Sequence, residues 1–221
     1  ETPVLDVIDP YRIGWNSLQN FWNQVYEMPD TEDWTHGNSI IYEPSDDTFL
    51  YSARHQDAVI KFRRSDLGVE WILAPHENWG PPWDAFLLEP ISRRFAWQYH
   101  QHAAEYTASG NVILFDNGNE RTSTPDPGLP ETARYSRAVE YQIDPVAMTV
   151  AQVWDYGGPN DLWYSPSLGD ADELPLTGNV LVADGDHDTT HETGPGYARL
   201  VQVTRDTPAE VVWELHVRDL S

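Results

Sequence analysis

Histidine recurs at equivalent places in two stretches of this sequence, THGNSI and YHQHAAEY, which lie about 65 residues apart. Side chains two positions apart on an extended strand face the same way. His36 should therefore share a face with Asn38, and His100 should share a face with His102. A neutral imidazole nitrogen is a competent nucleophile at neutral pH and can carry a covalent intermediate. Imidazoles that converge from two such strands indicate nucleophilic or acid–base chemistry more than ordinary packing.

The spacing between these histidines and the next apolar strand is also repeated. His36 lies 14 residues before Leu50, and His100 lies 14 residues before Leu114. In a third stretch of the chain the same interval leads to Ser167. A serine therefore stands in the third unit where the first two units carry histidine.

The elements that must position these side chains form repeated sets of strands. Residues 35–73 contain four short apolar runs separated by turns rich in Pro, Asp, Ser and Gly, and residues 99–157 and 165–217 repeat the plan. Four-stranded units at a fixed period are typical of β-propeller blades, whose first strands line a central channel. The strands expected in the first unit lie near Ser39–Tyr42, Phe49–Ala53, Ala58–Arg63 and Val69–Leu73.

The expected fold class is all-β, a β-propeller of four-stranded antiparallel blades. Corresponding leucines and tryptophans support the repeat: Leu50, Leu114 and Leu181, and Trp71, Trp154 and Trp213. Residues 1–32 are expected to lead in from the preceding blade, with a short helix within 10–29 predicted from apolar residues at helical spacing. Residues 33–221 are expected to form a partial propeller, with about three blades near 33–73, 99–157 and 165–217.

Composition excludes several classes of function. The 221 residues are 40% hydrophobic and 12% aromatic, which is enough for a sizeable core. The formal net charge of −23, with Lys61 as the single lysine, would repel phosphates and argues against nucleic acid as a partner. The sequence has no cysteine for disulfides or thiolate metal sites, and no apolar run long enough to span a bilayer. The acidity suits a solvated surface, and adaptation to high salt is left open.

Two segments carry a resemblance to a known family. DWTHGNSIIYEPSDDTFLYSARHQDAVIKF, and QHAAEYTASGNVILFDNGN followed by SRAVEY, resemble the bacterial arylsulfate sulfotransferases between about Asp33 and Gly157. The resemblance implies a periplasmic or secreted enzyme with a six-bladed propeller. Such enzymes move a sulfuryl group from a phenolic sulfate ester to a phenolic acceptor through a sulfohistidine, without a nucleotide donor. It further implies that this chain is the C-terminal half of the family pattern and would be poorly active alone.

The resemblance also assigns roles to individual residues, and no cofactor or metal is required for them. It makes His102 the nucleophile, with Ser167 as the nearest match to a hydroxyl residue from a later blade, where the local sequence departs from the family. His100 lies so close on the expected strand that an exchange of roles with His102 stays open. The planar cationic fork of Arg54 and the amide of Asn38 suit the negative oxygens of a sulfuryl group in transfer. The expected catalytic residues are His102, His36, Arg54 and Asn38, and the expected substrate-binding residues are Ser167 and His100.

Two other classes of function remain as alternatives. One is a non-catalytic propeller module that binds a ligand or a partner. The other is a metal-dependent propeller hydrolase or lyase. The acidic stretch DGDHDTTHETG, residues 184–194, lacks the glycine and the twelfth-position glutamate of a calcium loop, so it is interpreted as an exposed loop. The expected partners are small-molecule phenolic sulfates and phenols, without a membrane span, and a homodimer is left open.

Overall fold

The computed structural model describes residues 4–12, 33–122, 128–159, 163–187 and 197–218. Most of the helix predicted within 10–29 lies outside these residues. Its first described residues form a 3-10 turn, Pro10–Arg12, in which Arg12 is buried. His36 lies directly before a strand, and His100 lies two residues before another.

The first sheet is an antiparallel meander of four neighbouring strands. The turn-flanked apolar runs pair in chain order, and β2 and β3 are largely buried because they lie inside the sheet. The four strands predicted from the sequence are confirmed to within two residues at each end. They are β1, Gly37–Glu43; β2, Thr48–Ala53; β3, Ala58–Arg63; and β4, Val69–Leu73.

The second sheet has the same antiparallel order with one added strand. A two-residue strand pairs in parallel with the outer strand, which gives the order β5-β9-β8-β7-β6. This added strand was not predicted, because a Pro-rich insertion carries no strand period. The strands are β5, Glu89–Pro90; β6, His102–Tyr106; β7, Val112–Asp116; β8, Arg137–Asp144; and β9, Thr149–Gly157.

The third sheet is again a four-stranded antiparallel meander. Its strands are β10, Asp170–Glu173; β11, Val180–His187; β12, Tyr197–Val203; and β13, Val211–Arg218. The described residues contain only short 3-10 turns beside these strands, so the expected all-β class is confirmed. Closure of such sheets into a propeller remains a proposal. No helix in the described ranges is long and apolar enough to cross a membrane.

Strand β7 lies between two apolar clusters, which explains its unbroken run VILFD. Val112 and Leu114 pack with residues of the first sheet, whereas Ile113 and Phe115 pack with residues of the third. All four side chains are fully buried. Alternate side chains of a strand point to opposite faces, so β7 joins the three sheets through its two faces.

The repeated leucine and tryptophan positions are buried in the first two units, whereas the tryptophan of the third unit is exposed. Leu50 and Leu114 are fully buried, and Trp71 and Trp154 are 3% and 6% exposed. Trp213 is 46% exposed on β13. Every β13 residue from 211 to 217 is exposed, because β13 is the outer strand of the third sheet and nothing described packs over it.

Candidate active site

The two histidines that precede strands occupy left-handed turns. His36 has φ 44° just before β1, and His100 has φ 54° two residues before β6. The prediction that each shares a strand face with the residue two positions later is therefore wrong in its geometry. Alternation of faces requires extended backbone, and a residue in the left-handed region breaks that alternation.

His102 is the first residue of β6 and is 9% exposed. Its Nδ1 lies 2.7 Å from Oδ1 of Asn117, which follows β7 directly. The pairing of β6 with β7 sets His102 opposite Phe115 and so brings Asn117 within reach. The side chain of His102 on one strand of the hairpin is thus held by the residue directly after the other strand.

The environment of His102 favours the neutral imidazole. Burial lowers the pKa of His102 to about 4, and the charges of Arg54 and His36 act in the same direction. The hydrogen bond to Asn117 opposes this shift only in part. At neutral pH the ring is therefore uncharged and keeps one nitrogen lone pair, which is the form that can attack an electrophile.

Arg54 begins a 3-10 turn immediately after β2, and its side chain is 7% exposed. Its Nη2 donates to the carbonyl oxygen of Pro166 at 2.9 Å, across 112 residues of sequence. Its Nε is buried without a hydrogen-bond partner among the described residues. Burial lowers the pKa of Arg54, and Asp57 is the largest of the charges that oppose the shift. A guanidinium keeps its charge in proteins, so a buried cation lies beside the neutral imidazole of His102.

His36 belongs to a second cluster of hydrogen-bonded side chains, which is formed with Asp33 and His55. Its Nδ1 pairs with the carboxylate of Asp33, and its ring centre lies 4.6 Å from that of His55. The ring of His55 also bonds to the backbone carbonyl of Asp33. Burial lowers the pKa of His55 to about 4. One ligand atom from each of Asp33, His36 and His55 lies within 4.8 Å of the others, so the trio could hold a metal ion.

His100 occupies the interior beside this cluster. It is 1% exposed, and its ring packs edge-on against His55 at 5.8 Å. Its backbone N–H donates to Oδ1 of Asp57 at 2.7 Å, and its Nδ1 lies 3.5 Å from the same oxygen. These contacts bury His100 against His55 and Asp57.

Asn38 and Ser167 lie at the edges of the site. Asn38 donates one amide hydrogen to the carbonyl of Gln101 at 2.7 Å, which links the first sheet to the residue before His102. Ser167 is half-buried and follows Pro166, the residue that accepts from Arg54. The structure thus brings together predicted residues from three units that are distant in sequence.

Sequence reasoning missed three residues that hold the histidines. Asp33 stands three residues before His36, a spacing visible in DWTH. Asn117 lies in FDNGN, which reads as a turn signature, and only the register of the β6–β7 hairpin reveals its role. Asp57, buried behind His100, has a left-handed φ of 50°.

Sequence comparison identifies the family to which this chain belongs. The family model for arylsulfotransferases (ASST) matches residues 2–220, so this chain is a member of the arylsulfotransferase family. The arylsulfate sulfotransferase AssT of Escherichia coli O6:H1 is 40% identical over 151 residues, covering 61% of this chain and 25% of that protein. The arylsulfate sulfotransferase AssT of Lelliottia amnigena is 36% identical with the same coverage. The chain spans about a quarter of the length of these curated relatives.

Proposed function

We propose that this protein transfers a sulfuryl group from a phenolic sulfate ester to a phenolic acceptor through a sulfohistidine on His102. The observation that carries the proposal is a buried imidazole whose pKa is lowered to about 4 beside the buried guanidinium of Arg54. A neutral nucleophile next to a fixed cation suits attack on an anionic ester. Family membership and the names of the relatives support the same chemistry.

In the first half-reaction, the lone pair of the His102 ring nitrogen not bonded to Asn117 attacks sulfur. A nitrogen–sulfur bond forms, and the bond from sulfur to the aryl oxygen breaks with its electron pair. The departing phenolate takes a proton from His36, whose Nδ1 is held by Asp33. In the second half-reaction, an acceptor phenol attacks sulfur and gives its proton back to His36. The nitrogen–sulfur bond then breaks, and its electron pair returns to His102.

The cation of Arg54 stabilises the charge that spreads over the sulfuryl oxygens in both half-reactions. Its Nη2 is fixed by the Pro166 carbonyl, so the guanidinium does not have to reorganise during transfer. Removal of one such donor typically raises the barrier by about 3 kcal/mol. We assign Asn38 and the hydroxyl of Ser167 to further contacts with the sulfuryl oxygens, and His100 to support of the surrounding histidines.

The first half-reaction can be tested without turnover. The purified protein is incubated with a nitrophenyl sulfate, the released nitrophenol is measured, and the sulfuryl adduct is located by peptide mass mapping. We expect the adduct on His102 and its loss in His102→Gln, with His100→Gln as the matched control that keeps it. An adduct on His100, or release of nitrophenol without any histidine adduct, would overturn the assignment.

A metal-dependent hydrolase is the second candidate, and the cluster of Asp33, His36 and His55 is the observation that favours it. Two imidazoles and a carboxylate are suitable ligands for zinc. A metal there would have to displace the hydrogen bond between His36 and Asp33. Metal analysis of the purified protein, with nitrophenol release measured before and after chelation, separates the two functions. Loss of release on chelation and recovery with zinc would favour the hydrolase.

The proposal extends to assembly and location. The three sheets would be blades of a six-bladed propeller, near 33–73, 99–157 and 165–217, with a periplasmic or secreted location as in the family. Exposed apolar residues of β13, among them Trp213 and Val217, suit contact with a neighbouring blade or a second copy of the chain. Residues 1–221 alone should therefore transfer sulfate poorly. Transfer is measured together with the oligomeric state in sedimentation. An efficient monomer would contradict this expectation, whereas an efficient dimer would indicate that two copies pair.

A further inference from the structure

The amide of Asn117 is held in a single orientation by its neighbours. Asn117 is fully buried, and its Nδ2 donates to the carbonyl oxygens of Ser165 and Leu168, both at 2.8 Å. Carbonyl oxygens only accept hydrogen bonds, so the amide nitrogen must lie on that side. A flipped amide would place its oxygen against two other oxygens. The Oδ1 atom must therefore be the one that faces His102.

This orientation determines which nitrogen of His102 carries the proton. Oδ1 of Asn117 can only accept, and it lies 2.7 Å from Nδ1 of His102. Nδ1 must then donate, so the neutral ring carries its proton on Nδ1 and its lone pair on Nε2. We propose that Asn117 is a positioning residue that fixes His102 in the Nδ1–H tautomer and so keeps Nε2 available as the sulfuryl-accepting atom. The inference deepens the proposed function and rests on His102 as the nucleophile.

A neutral amide suits this task better than a carboxylate would. A carboxylate partner would stabilise the imidazolium form of the ring and remove its lone pair from use. His36 and His102 differ in this respect. His36 is held by the carboxylate of Asp33, whereas His102 is held by the amide of Asn117. Around His102 the other charged groups, Arg54 and His36, also disfavour the imidazolium.

The same amide remains in place through the transfer. Attack by Nε2 forms the nitrogen–sulfur bond and leaves a ring that carries positive charge. The Nδ1 proton stays on the ring and stays bonded to Asn117. When the sulfuryl group leaves, the bonding pair returns to Nε2 and the neutral Nδ1–H tautomer is restored. No proton has to pass to or from the amide.

Asn117 also ties the nucleophile to the segment that orients Arg54. Its two donated hydrogen bonds hold the backbone on either side of Pro166, whose carbonyl accepts from Arg54. Ser136 contacts only the backbone in this region: its Oγ donates to the carbonyl of Asn117 and accepts from the N–H of Ser165. Ser136 makes no hydrogen bond to His102 in the described structure, so Ser136→Ala is a matched control.

The test is the tautomer of His102, read by ¹⁵N NMR of histidine-labelled protein with assignment by His102→Gln. We expect wild type and Ser136→Ala to show His102 protonated at Nδ1 at about pH 7, and Asn117→Ala to show a population protonated at Nε2. Asn117→Asp should keep the Nδ1–H but move protonation of the ring to higher pH, because its carboxylate stabilises the imidazolium. Wild-type His102 protonated at Nε2 would overturn the inference without any variant, and so would an unchanged tautomer in folded Asn117→Ala.

The rate of adduct formation gives an independent reading. Loss of a partner that fixes a histidine tautomer costs roughly 10- to 100-fold, by analogy with partners of metal-bound histidines. We expect Asn117→Ala to slow the adduct by that factor and Ser136→Ala to slow it by much less. An Nδ1–H tautomer with no adduct on His102 would reject the proposed function and leave the tautomer assignment standing. An adduct on His102 in a protein whose ring is protonated at Nε2 would reject only the role of Asn117.

Discussion

Acidification should destabilise this fold through its buried histidines. Burial lowers the pKa of His102 and of His55 to about 4, below the ordinary value of 6.5. Between these values the unfolded chain binds protons that the folded chain does not bind. The free energy of unfolding must therefore fall as the pH falls from about 6.5 toward about 4. The stability that these groups contribute is complete above the unfolded pKa.

The size of the effect follows from the shift. For His102, moving from about pH 7.5 to about pH 4.5 should lower the free energy of unfolding by about 2 to 3 kcal/mol, since each pKa unit corresponds to about 1.4 kcal/mol. His55 acts in the same direction. This is a large part of the roughly 5 to 15 kcal/mol that stabilises a typical domain.

Urea unfolding at the two pH values isolates the contribution of His102. Carboxylates that titrate in this range affect all variants alike, so they cancel in the comparison. His102→Gln should lose about 2 to 3 kcal/mol less than wild type on acidification. Ser136→Ala, which removes a buried polar group that does not titrate, should lose as much as wild type. An equal loss in wild type and His102→Gln would refute the reasoning, because it would mean that His102 is protonated as readily in the fold as in the unfolded chain.

Three further substitutions test other parts of the structure. Arg54→Lys should slow nitrophenol release roughly 100-fold with little change in thermal unfolding, because lysine lacks the planar fork; a wild-type rate would reject the role of Arg54. Asp116→Ala should lower the free energy of unfolding in urea by about 3 to 5 kcal/mol, because it leaves the buried guanidinium of Arg137, now 2.7 Å from the carboxylate, without its nearest counter-ion; a loss below about 1 kcal/mol would contradict this. Burial and the charge of Asp172 raise the pKa of Glu105 to about 7, so the fold loses stability as the pH rises through that value. Glu105→Gln should remove this loss, so the variant should be more stable than wild type at about pH 8 by more than at about pH 5. A pH dependence equal to that of wild type would show that Glu105 is ionised throughout this range.

The strands were predictable because their signals are local. Apolar alternation and turn residues define β1 to β4, and the interval of about 65 residues transfers the plan to the second sheet. The third unit differs from the other two in the burial of its repeated tryptophan, because burial depends on packing. Trp213 has the same sequence context as Trp71 and Trp154, yet it is exposed because nothing described covers β13. The parallel strand β5 depends on a contact with β9 that no local pattern encodes.

The residues of the proposed site can be named from the sequence, but their geometry can be predicted only in part. His36, Arg54 and His102 do come together, but through left-handed turns and strand ends and not through alternation along strands. Histidine in the left-handed region is uncommon, so a positive φ could not be read from the letters of the sequence. The partners of the histidines also differ in how far they could be predicted. Asp33 is near His36 in sequence, whereas the contact of Asn117 with His102 becomes visible only with the hairpin register.

The positions of the proposed reacting groups depend on hydrogen bonds between sheets. Asn38 of the first sheet donates to the residue before His102 in the second. Arg54 reaches the segment that leads into the third sheet, and Asn117 of the second sheet holds that segment from the other side. Each of these bonds joins residues at least 48 positions apart, and each accepts on a backbone carbonyl. Because a displacement of about 1 Å can cost roughly 100-fold in rate, the site requires the packing on both faces of β7 that holds the three sheets in register. The apolar run VILFD is therefore as necessary to the proposed chemistry as the histidines that its neighbours carry.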